Sequence, residues 1–254
     1  MLDSETFLGF NGREEELGNI LRFNMERRTP MFYRTNDLLH SRRVNVLLRD
    51  IAPILEKGYS KKFDVEKALI LALVHDDVEI DPRLGDVQAY YKDRMTPEQK
   101  VELHTKEIRA IELVSGKSPE NIGRFSYRDL LYHALNKDCL EAQVVSYCDK
   151  VDALCESLHE VFAGNPNFKE PALEYIQKIR EFPTKYPLLS RLLPGEHSLL
   201  QFPIDLDAKK IIPIGRFHNF ESVREMTGLS HYDRWRELTI ERFGVAPLVQ
   251  VREY

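Results

Sequence analysis

An apolar run, ALILALV at residues 68–74, passes directly into His75, Asp76 and Asp77 and constrains the fold more than any other feature. The run is apolar on every side, which is typical of a helix at the centre of a helical core. Carboxylates at a helix C-terminus oppose the helix dipole and lower its stability unless a cation compensates. The run therefore predicts a buried helix whose C-terminal end faces a positive charge.

Helical periodicity recurs along the chain and strand-like alternation is scarce, so we expect an all-α fold. Capping signals mark several helix starts, at Asn36 or Asp37, at Asp64, and at the capping box of Thr96–Pro97–Glu98–Gln99. The helix capped by Asp64 is expected to continue through Ile80 and to stop at Pro82. Within residues 1–183, the other predicted helices are residues 12–28, short helices from Ser118 and from Ser126, residues 138–162, and a helix from Glu170 that ends before Pro183.

Prolines become frequent late in the chain, at positions 183, 187, 194, 203 and 213. This change predicts a helical core of residues 1–183 and an accessory C-terminal extension, 184–254, packed on that core. Within the extension, residues 202–215 are predicted to form a short β-hairpin. Three roles stay open for the extension: covering a pocket of the core, forming a homodimer interface, or both.

Composition excludes several classes of partner. The chain has 36 Lys and Arg against 41 Asp and Glu, a net charge of −5, so no overall positive field favours a nucleic acid polymer. No apolar run reaches the length of a membrane span, and no membrane partner is expected. Three cysteines, Cys139, Cys148 and Cys155, without a signal-peptide pattern predict reduced thiols and a cytoplasmic location.

Histidines and aspartates at three places in the chain suggest one metal site. His40 precedes the apolar run, the His75–Asp76 pair ends it, and a downstream helix carries Asp149 and Asp152. Imidazole nitrogens and carboxylate oxygens suit a divalent first-row ion. Buried charges are costly unless they are paired or bound to a metal. The pattern predicts a site with two histidine and two aspartate ligands.

A larger set of motifs resembles a known family. His40, His75–Asp76, Glu79, Gly85–Asp86 and a distal aspartate in DKVDALCESL resemble the HD superfamily of metal-dependent phosphohydrolases. Their order resembles that of the 5′-deoxynucleotidase branch of this superfamily: Arg28–Thr29–Pro30 comes first and the distal D-x(2)-D/A-L-C pattern comes last. The resemblance covers roughly residues 22–165 and implies an HD-type helical bundle for the core.

The resemblance also implies roles for individual residues. His40, His75, Asp76 and Asp149 would bind one divalent transition-metal ion, with Mn, Co, Zn, Ni and Fe as candidates. Glu79 would serve the catalytic water, Asp86 would hold substrate or water, and Arg28 would bind the phosphate beside a basic wall that includes Arg34.

The choice of the distal aspartate is ambiguous, because Asp149 and Asp152 share a helical face. Asp149 is preferred, because an alignment that places it at the family's distal aspartate has no gap before residues 163–165. Asp152 would then either orient a ligand through a hydrogen bond or be solvated.

The implied reaction is removal of phosphate from a nucleoside 5′-monophosphate or a similar small phosphate ester by a metal-bound water. A phosphodiesterase or a hydrolase of nucleotide alarmones is an alternative, which a second ion bound by His104 or His133 would favour. A non-catalytic nucleotide-binding module that keeps the helical scaffold is a third hypothesis.

Overall fold

The computed structural model describes Phe7, Met31, Tyr33 and residues 10–23, 35–59, 62–87, 89–162 and 165–187. These residues are predominantly helical, which confirms the predicted all-α class. The α-helices are α1 (Arg13–Asn19), α2 (Asp37–Tyr59), α3 (Val65–Val74), α4 (Ala89–Arg94), α5 (Pro97–Gly116), α6 (Tyr127–Asn136), α7 (Leu140–Phe162) and α8 (Lys169–Lys185). Short 3-10 helices span Phe10–Gly12, Asp77–Ile80 and Pro166–Phe168, and strands β1 (Asn121–Ile122) and β2 (Phe125–Ser126) pair in antiparallel fashion.

Three of the helix starts after α2 are formed by the predicted caps. Asp64 Oδ1 accepts a hydrogen bond from the Lys67 amide at 3.1 Å, which begins α3. The capping box closes in both directions: the Gln99 amide donates to Thr96 Oγ1 at 3.3 Å, and the Thr96 amide donates to Gln99 Oε1 at 2.9 Å. Ser126 caps α6 in a similar way. These bonds satisfy amides that a helix N-terminus leaves without an intrahelical partner.

The helix predicted through Arg28 is shorter than expected, because α1 ends at Asn19. Directly after it, Leu21 forms an isolated antiparallel bridge with Asn36. Backbone groups that pair with a distant extended segment cannot also continue the i→i−4 pattern of a helix. A tertiary contact thus replaces local helix propensity.

The helix predicted through Ile80 is also interrupted, since α3 ends at Val74 and a 3-10 helix follows from Asp77. Arg13 Nη2 donates to the Leu73 carbonyl at 2.5 Å. In a continuous α-helix that carbonyl would instead accept the amide of Asp77. His75 and Asp76 therefore lie in a turn between two helical segments, not on one uninterrupted helix.

The helix predicted to begin at Ser118 is absent. Residues 121–126 form the β1–β2 hairpin instead. Its turn includes Gly123, whose φ of +56° lies in the left-handed region that glycine adopts without a steric penalty. The hairpin leads directly into α6.

The helix predicted to end before Pro183 continues to Lys185. Proline removes its own amide from the helical hydrogen-bond pattern and crowds the carbonyl four residues earlier, yet the Tyr186 amide still donates to the Phe182 carbonyl at 2.8 Å. The predicted extension, 184–254, is described only as far as residue 187. Its boundary and its homodimer role stay predictions, and the predicted hairpin at 202–215 lies outside the described residues.

The chain divides into two compact units, one within residues 1–30, 34–45 and 64–146 and the other within 31–33, 46–63 and 147–254. In the described part of the first unit, α5 packs against α6 and against the 3-10 helix Asp77–Ile80, and α3 packs against α6. Asn45 Nδ2 on α2 donates to the Leu69 carbonyl of α3 at 2.8 Å, which ties these two helices together.

Apolar side chains fill the interior of each unit. In the first they include Leu17, Val44, Leu71, Ile111, Tyr127 and Leu131, and in the second Leu48, Leu55, Val151, Leu154, Phe168 and Ile179. Truncation of one such leucine to alanine typically costs about 2–5 kcal/mol. Among the helices of the described ranges, none combines the length and apolarity that a membrane crossing requires.

Candidate metal centre

His40 is placed by the first turn of α2. Asn36 caps this helix, because its Oδ1 accepts the Leu39 amide at 2.9 Å, and the Asn36 carbonyl accepts the His40 amide at 3.0 Å. The His40 side chain is completely buried. A capped and packed helix terminus holds its imidazole in a fixed position.

His75 is placed by the C-terminal end of α3. Its Nδ1 lies 2.9 Å from the Ala72 carbonyl oxygen. A carbonyl oxygen only accepts, so Nδ1 carries a proton, and in the neutral imidazole Nε2 then carries the lone pair. Hydrogen bonds of this kind fix the tautomer and orientation of metal-binding histidines. The geometry therefore leaves Nε2 of His75 in the form that coordinates a metal.

Both histidines converge on one carboxylate oxygen. Asp76 Oδ2 lies 3.3 Å from Nε2 of His75 and 3.5 Å from Nε2 of His40. One nitrogen of each ring and this oxygen all lie within 4.8 Å of one another. Ligand atoms about 2.0–2.2 Å from a shared ion are separated by roughly 3–3.5 Å. The three side chains thus fit around one divalent ion.

Three further carboxyl groups surround Asp76. Burial and then the Asp76 charge raise the pKa of Asp37 to about 7. Burial, followed by the charges of Asp76, Asp86 and Asp37, raises the pKa of Glu79 well above its ordinary range. Burial also raises the pKa of Asp86, against the opposing effect of Arg22. Carboxylates that crowd a buried site favour protons or cations, so the surroundings also suit a metal ion.

Arg22 is a cation that faces this acidic cluster. Its Nη1 lies 3.6 Å from Asp37 Oδ1 and 3.7 Å from Asp76 Oδ2, and its side chain is 9% exposed. The backbone explains its position, because the Arg22 amide donates to the Thr35 carbonyl at 3.2 Å and the Asp37 amide donates to the Ile20 carbonyl at 3.1 Å.

The structure brings five of the residues predicted from sequence into this cluster, namely His40, His75, Asp76, Glu79 and Asp86. Sequence analysis missed Arg22 and considered Asp37 only as a helix cap. No local motif marks either residue, because an antiparallel bridge between distant segments brings them together. Arg28 and Arg34 lie outside the described residues.

The two candidates for the distal aspartate lie on α7, in the second unit. The Lys150 ammonium donates to Asp149 Oδ2, and the Asp149 side chain is 16% exposed. Asp152 is 2% exposed. The two carboxylates therefore differ in burial although they are only one helical turn apart.

His104 and His133 do not belong to the group of ligand atoms around Asp76. His104 faces Glu107, with 3.9 Å between Nδ1 and Oε2, and His133 Nδ1 lies 2.6 Å from Asp138 Oδ1. Cys139 is close to His133 and Asp138. The Lys67 ammonium, however, lies 3.5 Å from the Cys139 thiol. A lysine at that distance disfavours a second cation there. All three cysteines are free.

Comparison with known proteins gives a family match over most of the chain. The profile of the YfbR-like 5′-deoxynucleotidase family matches residues 12–188. No curated protein matches the chain.

Two solved structures align with the chain. An HD-domain phosphohydrolase from Listeria innocua aligns with a TM-score of 0.54 and 20% identity over 91% of this chain and 96% of that chain. A conserved hypothetical protein from Pyrococcus furiosus aligns with a TM-score of 0.47 and 22% identity over 68% of this chain and 96% of that chain. The Listeria structure supports the predicted HD-type helical fold of this chain.

Proposed function

The chain belongs to the YfbR-like 5′-deoxynucleotidase family, and from that membership we propose that it removes phosphate from a nucleoside 5′-monophosphate. It is a metal-dependent phosphohydrolase that acts on a small phosphorylated compound. One observation carries the proposal: Nε2 atoms of His40 and His75 converge on Asp76 Oδ2, at 3.5 and 3.3 Å.

His40, His75 and Asp76 would hold one divalent ion, with Mn, Co, Zn, Ni and Fe as candidates. When bound, the ion supplies Lewis acidity and lowers the pKa of water. We propose that a carboxylate of α7 completes the ligand set. The gap-free alignment with the family motif favours Asp149. The deeper burial of Asp152 favours Asp152 instead, because a buried carboxylate needs a compensating cation.

Glu79 and Asp86 would manage protons and water beside the ligands. The raised pKa of Glu79, caused by burial and by neighbouring carboxylates, makes it a stronger base than an ordinary carboxylate. Proton transfer is most efficient when the pKa of the transferring group is close to the working pH. Glu79 would take a proton from the attacking water, and Asp86 would hold that water or the substrate.

Arg22 would bind the phosphoryl oxygens. Its guanidinium lies 3.7 Å from Asp76 Oδ2, beside the carboxylate that we assign to the metal. Arginine offers several donors in a planar arrangement that matches phosphate. Phosphoryl transfer depends mainly on positioning and on stabilisation of charge, which such a residue provides. Arg28 and Arg34 remain proposed further contributors.

A phosphate-release screen tests the proposal. The purified chain is assayed with ribonucleoside and 2′-deoxyribonucleoside 5′-monophosphates, 3′-monophosphates and diesters, each with added Mn, Co, Zn, Ni or Fe. Hydrolysis of the diesters is followed by chromatography of the nucleotide products, because a diester yields a monoester and no free phosphate. We expect release from 5′-monophosphates, and its loss in Asp76→Ala. His104→Ala is the matched control, because it removes an imidazole that is 53% exposed and outside the cluster. Hydrolysis of diesters alone, or full activity in Asp76→Ala, would contradict the proposal.

A further inference from the structure

A closed network of buried polar groups lies next to the proposed ligands in the chain. Arg13 Nε donates to Asp77 Oδ2 at 2.6 Å and Arg13 Nη2 donates to Asp77 Oδ1 at 2.5 Å. The Tyr127 hydroxyl donates to Asp77 Oδ2 at 2.7 Å. The side chain of Asp77 is completely buried, and Arg13 and Tyr127 are nearly so. We call these three residues the Arg13 clamp.

The clamp is bonded on both sides of the His75–Asp76 turn. Besides Asp77, which follows the turn, Arg13 Nη2 binds the Leu73 carbonyl, which precedes it, at 2.5 Å. One guanidinium thus spans the ends of the segment that carries the two adjacent proposed ligands. A planar group with five donors suits this task, because it holds several acceptors at fixed angles.

The backbone of the turn leaves the helical conformation at Asp76. His75 has ordinary right-handed helical angles, but Asp76 has φ −103° and ψ 6°. This bridge region of backbone space is sparsely populated and is where many active-site residues lie. The turn directs both side chains toward one point, with His75 Nε2 3.3 Å from Asp76 Oδ2. An uninterrupted helix would point adjacent side chains about 100° apart.

The protonation states keep the clamp closed. Burial alone would lower the pKa of Arg13, but the Asp77 carboxylate more than offsets this, so the pKa is raised. Burial and then the Asp77 charge raise the pKa of Tyr127. The guanidinium stays charged and the hydroxyl stays a donor. A buried ion pair such as this one often stabilises a core no more than well-packed apolar residues of similar volume would.

We propose that Arg13, Asp77 and Tyr127 are positioning residues of the metal centre. They would set the affinity for the ion by holding the turn that presents His75 and Asp76, without touching the ion or the substrate. The inference rests on the proposed function, since it assigns these residues to the same site.

Three conservative variants test the role: Tyr127→Phe removes one hydroxyl, Asp77→Asn removes the charge, and Arg13→Lys removes the planar geometry. The first readouts are the dissociation constant for Co²⁺ and the visible spectrum of the Co²⁺-loaded chain, which reports ligand geometry. We expect each folded variant to bind Co²⁺ about 10- to 100-fold more weakly, the range typical of residues that orient metal ligands, with a changed spectrum. The third readout is the pH profile of phosphate release, together with separate values of kcat and KM. We expect the variants to lower mainly kcat.

Glu141→Gln is the matched control. Glu141 is buried and its Oε1 accepts the Asp64 amide at 2.9 Å, so the change perturbs a buried contact in the same unit outside the clamp. It should alter unfolding but neither Co²⁺ affinity nor the spectrum. If Asp77→Asn fails to fold, Tyr127→Phe still decides.

Wild-type Co²⁺ affinity and spectrum in the folded clamp variants would overturn the inference while leaving the proposed function intact. A wild-type chain that binds no metal would instead refute the proposed function itself.

Discussion

Nε2 of His40 lies 3.5 Å from Oδ2 of Asp76, although the two residues come from the first turn of α2 and from the turn after α3. The contact exists only when these helices are packed together. An unfolded chain offers no such preformed group of ligands, so metal binding stabilises the folded state. The proposed metal centre therefore links the stability of the fold to its chemistry.

The first prediction concerns this link. A divalent ion at 100 times its dissociation constant should raise the free energy of unfolding by about 2.7 kcal/mol relative to the chelator-treated chain. His40→Ala should abolish most of that increase, because it removes a buried ligand. Denaturant unfolding with and without the ion measures both quantities. An equal increase in the variant would show that the ion binds elsewhere.

Arg22 should affect substrate binding more than metal binding. Arg22→Ala is expected to raise KM for the phosphate ester about 10- to 100-fold, since a hydrogen bond to a charged group contributes roughly 1.5–3 kcal/mol. Affinity for the ion should be retained or increased, because a positive charge beside Asp76 is lost. Steady-state kinetics and metal titration give the two values.

Arg42→Ala is the control for Arg22. Arg42 is 54% exposed and pairs with Glu14 at 2.8 Å. Exposed pairs contribute little, so KM should not change. An effect on KM equal to that of Arg22→Ala would point to net charge rather than to a specific phosphate contact.

The distal ligand can be assigned by comparing two variants one helical turn apart. Loss of the ligand should lower metal affinity by at least about 100-fold, more than the loss of a residue that only orients one. If Asp152 is the ligand, Asp152→Ala shows this loss and Asp149→Ala nearly keeps wild-type affinity; the reverse result assigns Asp149. Retained affinity in both variants would exclude a ligand from this part of α7.

The metal-free chain should lose stability as the pH rises. The pKa of Asp37 is raised from 3.8 to about 7 by burial and by Asp76, against Arg22, with Asp86 adding to the rise and Glu79 opposing it. The folded state therefore binds more protons than the unfolded state between about pH 4 and pH 7, and its stability falls across that interval.

The fall should be about 1–3 kcal/mol. Asp37→Asn should reduce it, because the amide does not titrate. Unfolding at several pH values in the presence of a chelator measures the effect. A metal-free chain whose stability rises from pH 4 to pH 7 with the same slope in Asp37→Asn would contradict the assigned cause.

Helix starts that depend on residues close together in sequence could be predicted from the sequence. The Asp64 cap and the Thr96–Gln99 capping box form as predicted, since each depends on residues three apart in sequence. The cluster around His75 and Asp76 could also be predicted, because its motif residues other than His40 follow one another closely and the chemical types of its side chains are specific.

Tertiary contacts determine what the sequence did not reveal. α1 stops at Asn19 because the next residues pair with a segment near Asn36, and that pairing also brings Arg22 to the acidic cluster. The break after Val74 coincides with a hydrogen bond from Arg13 to the Leu73 carbonyl. Such partners are distant in sequence, and periodicity and capping rules contain no information about them.

The most direct test of the metal centre combines elemental analysis with phosphate release for the wild-type chain and for His75→Ala. We predict one divalent transition-metal ion per wild-type chain and release of phosphate from a nucleoside 5′-monophosphate, with both lost in the folded variant. Phosphate release by His75→Ala at the wild-type rate would contradict the account.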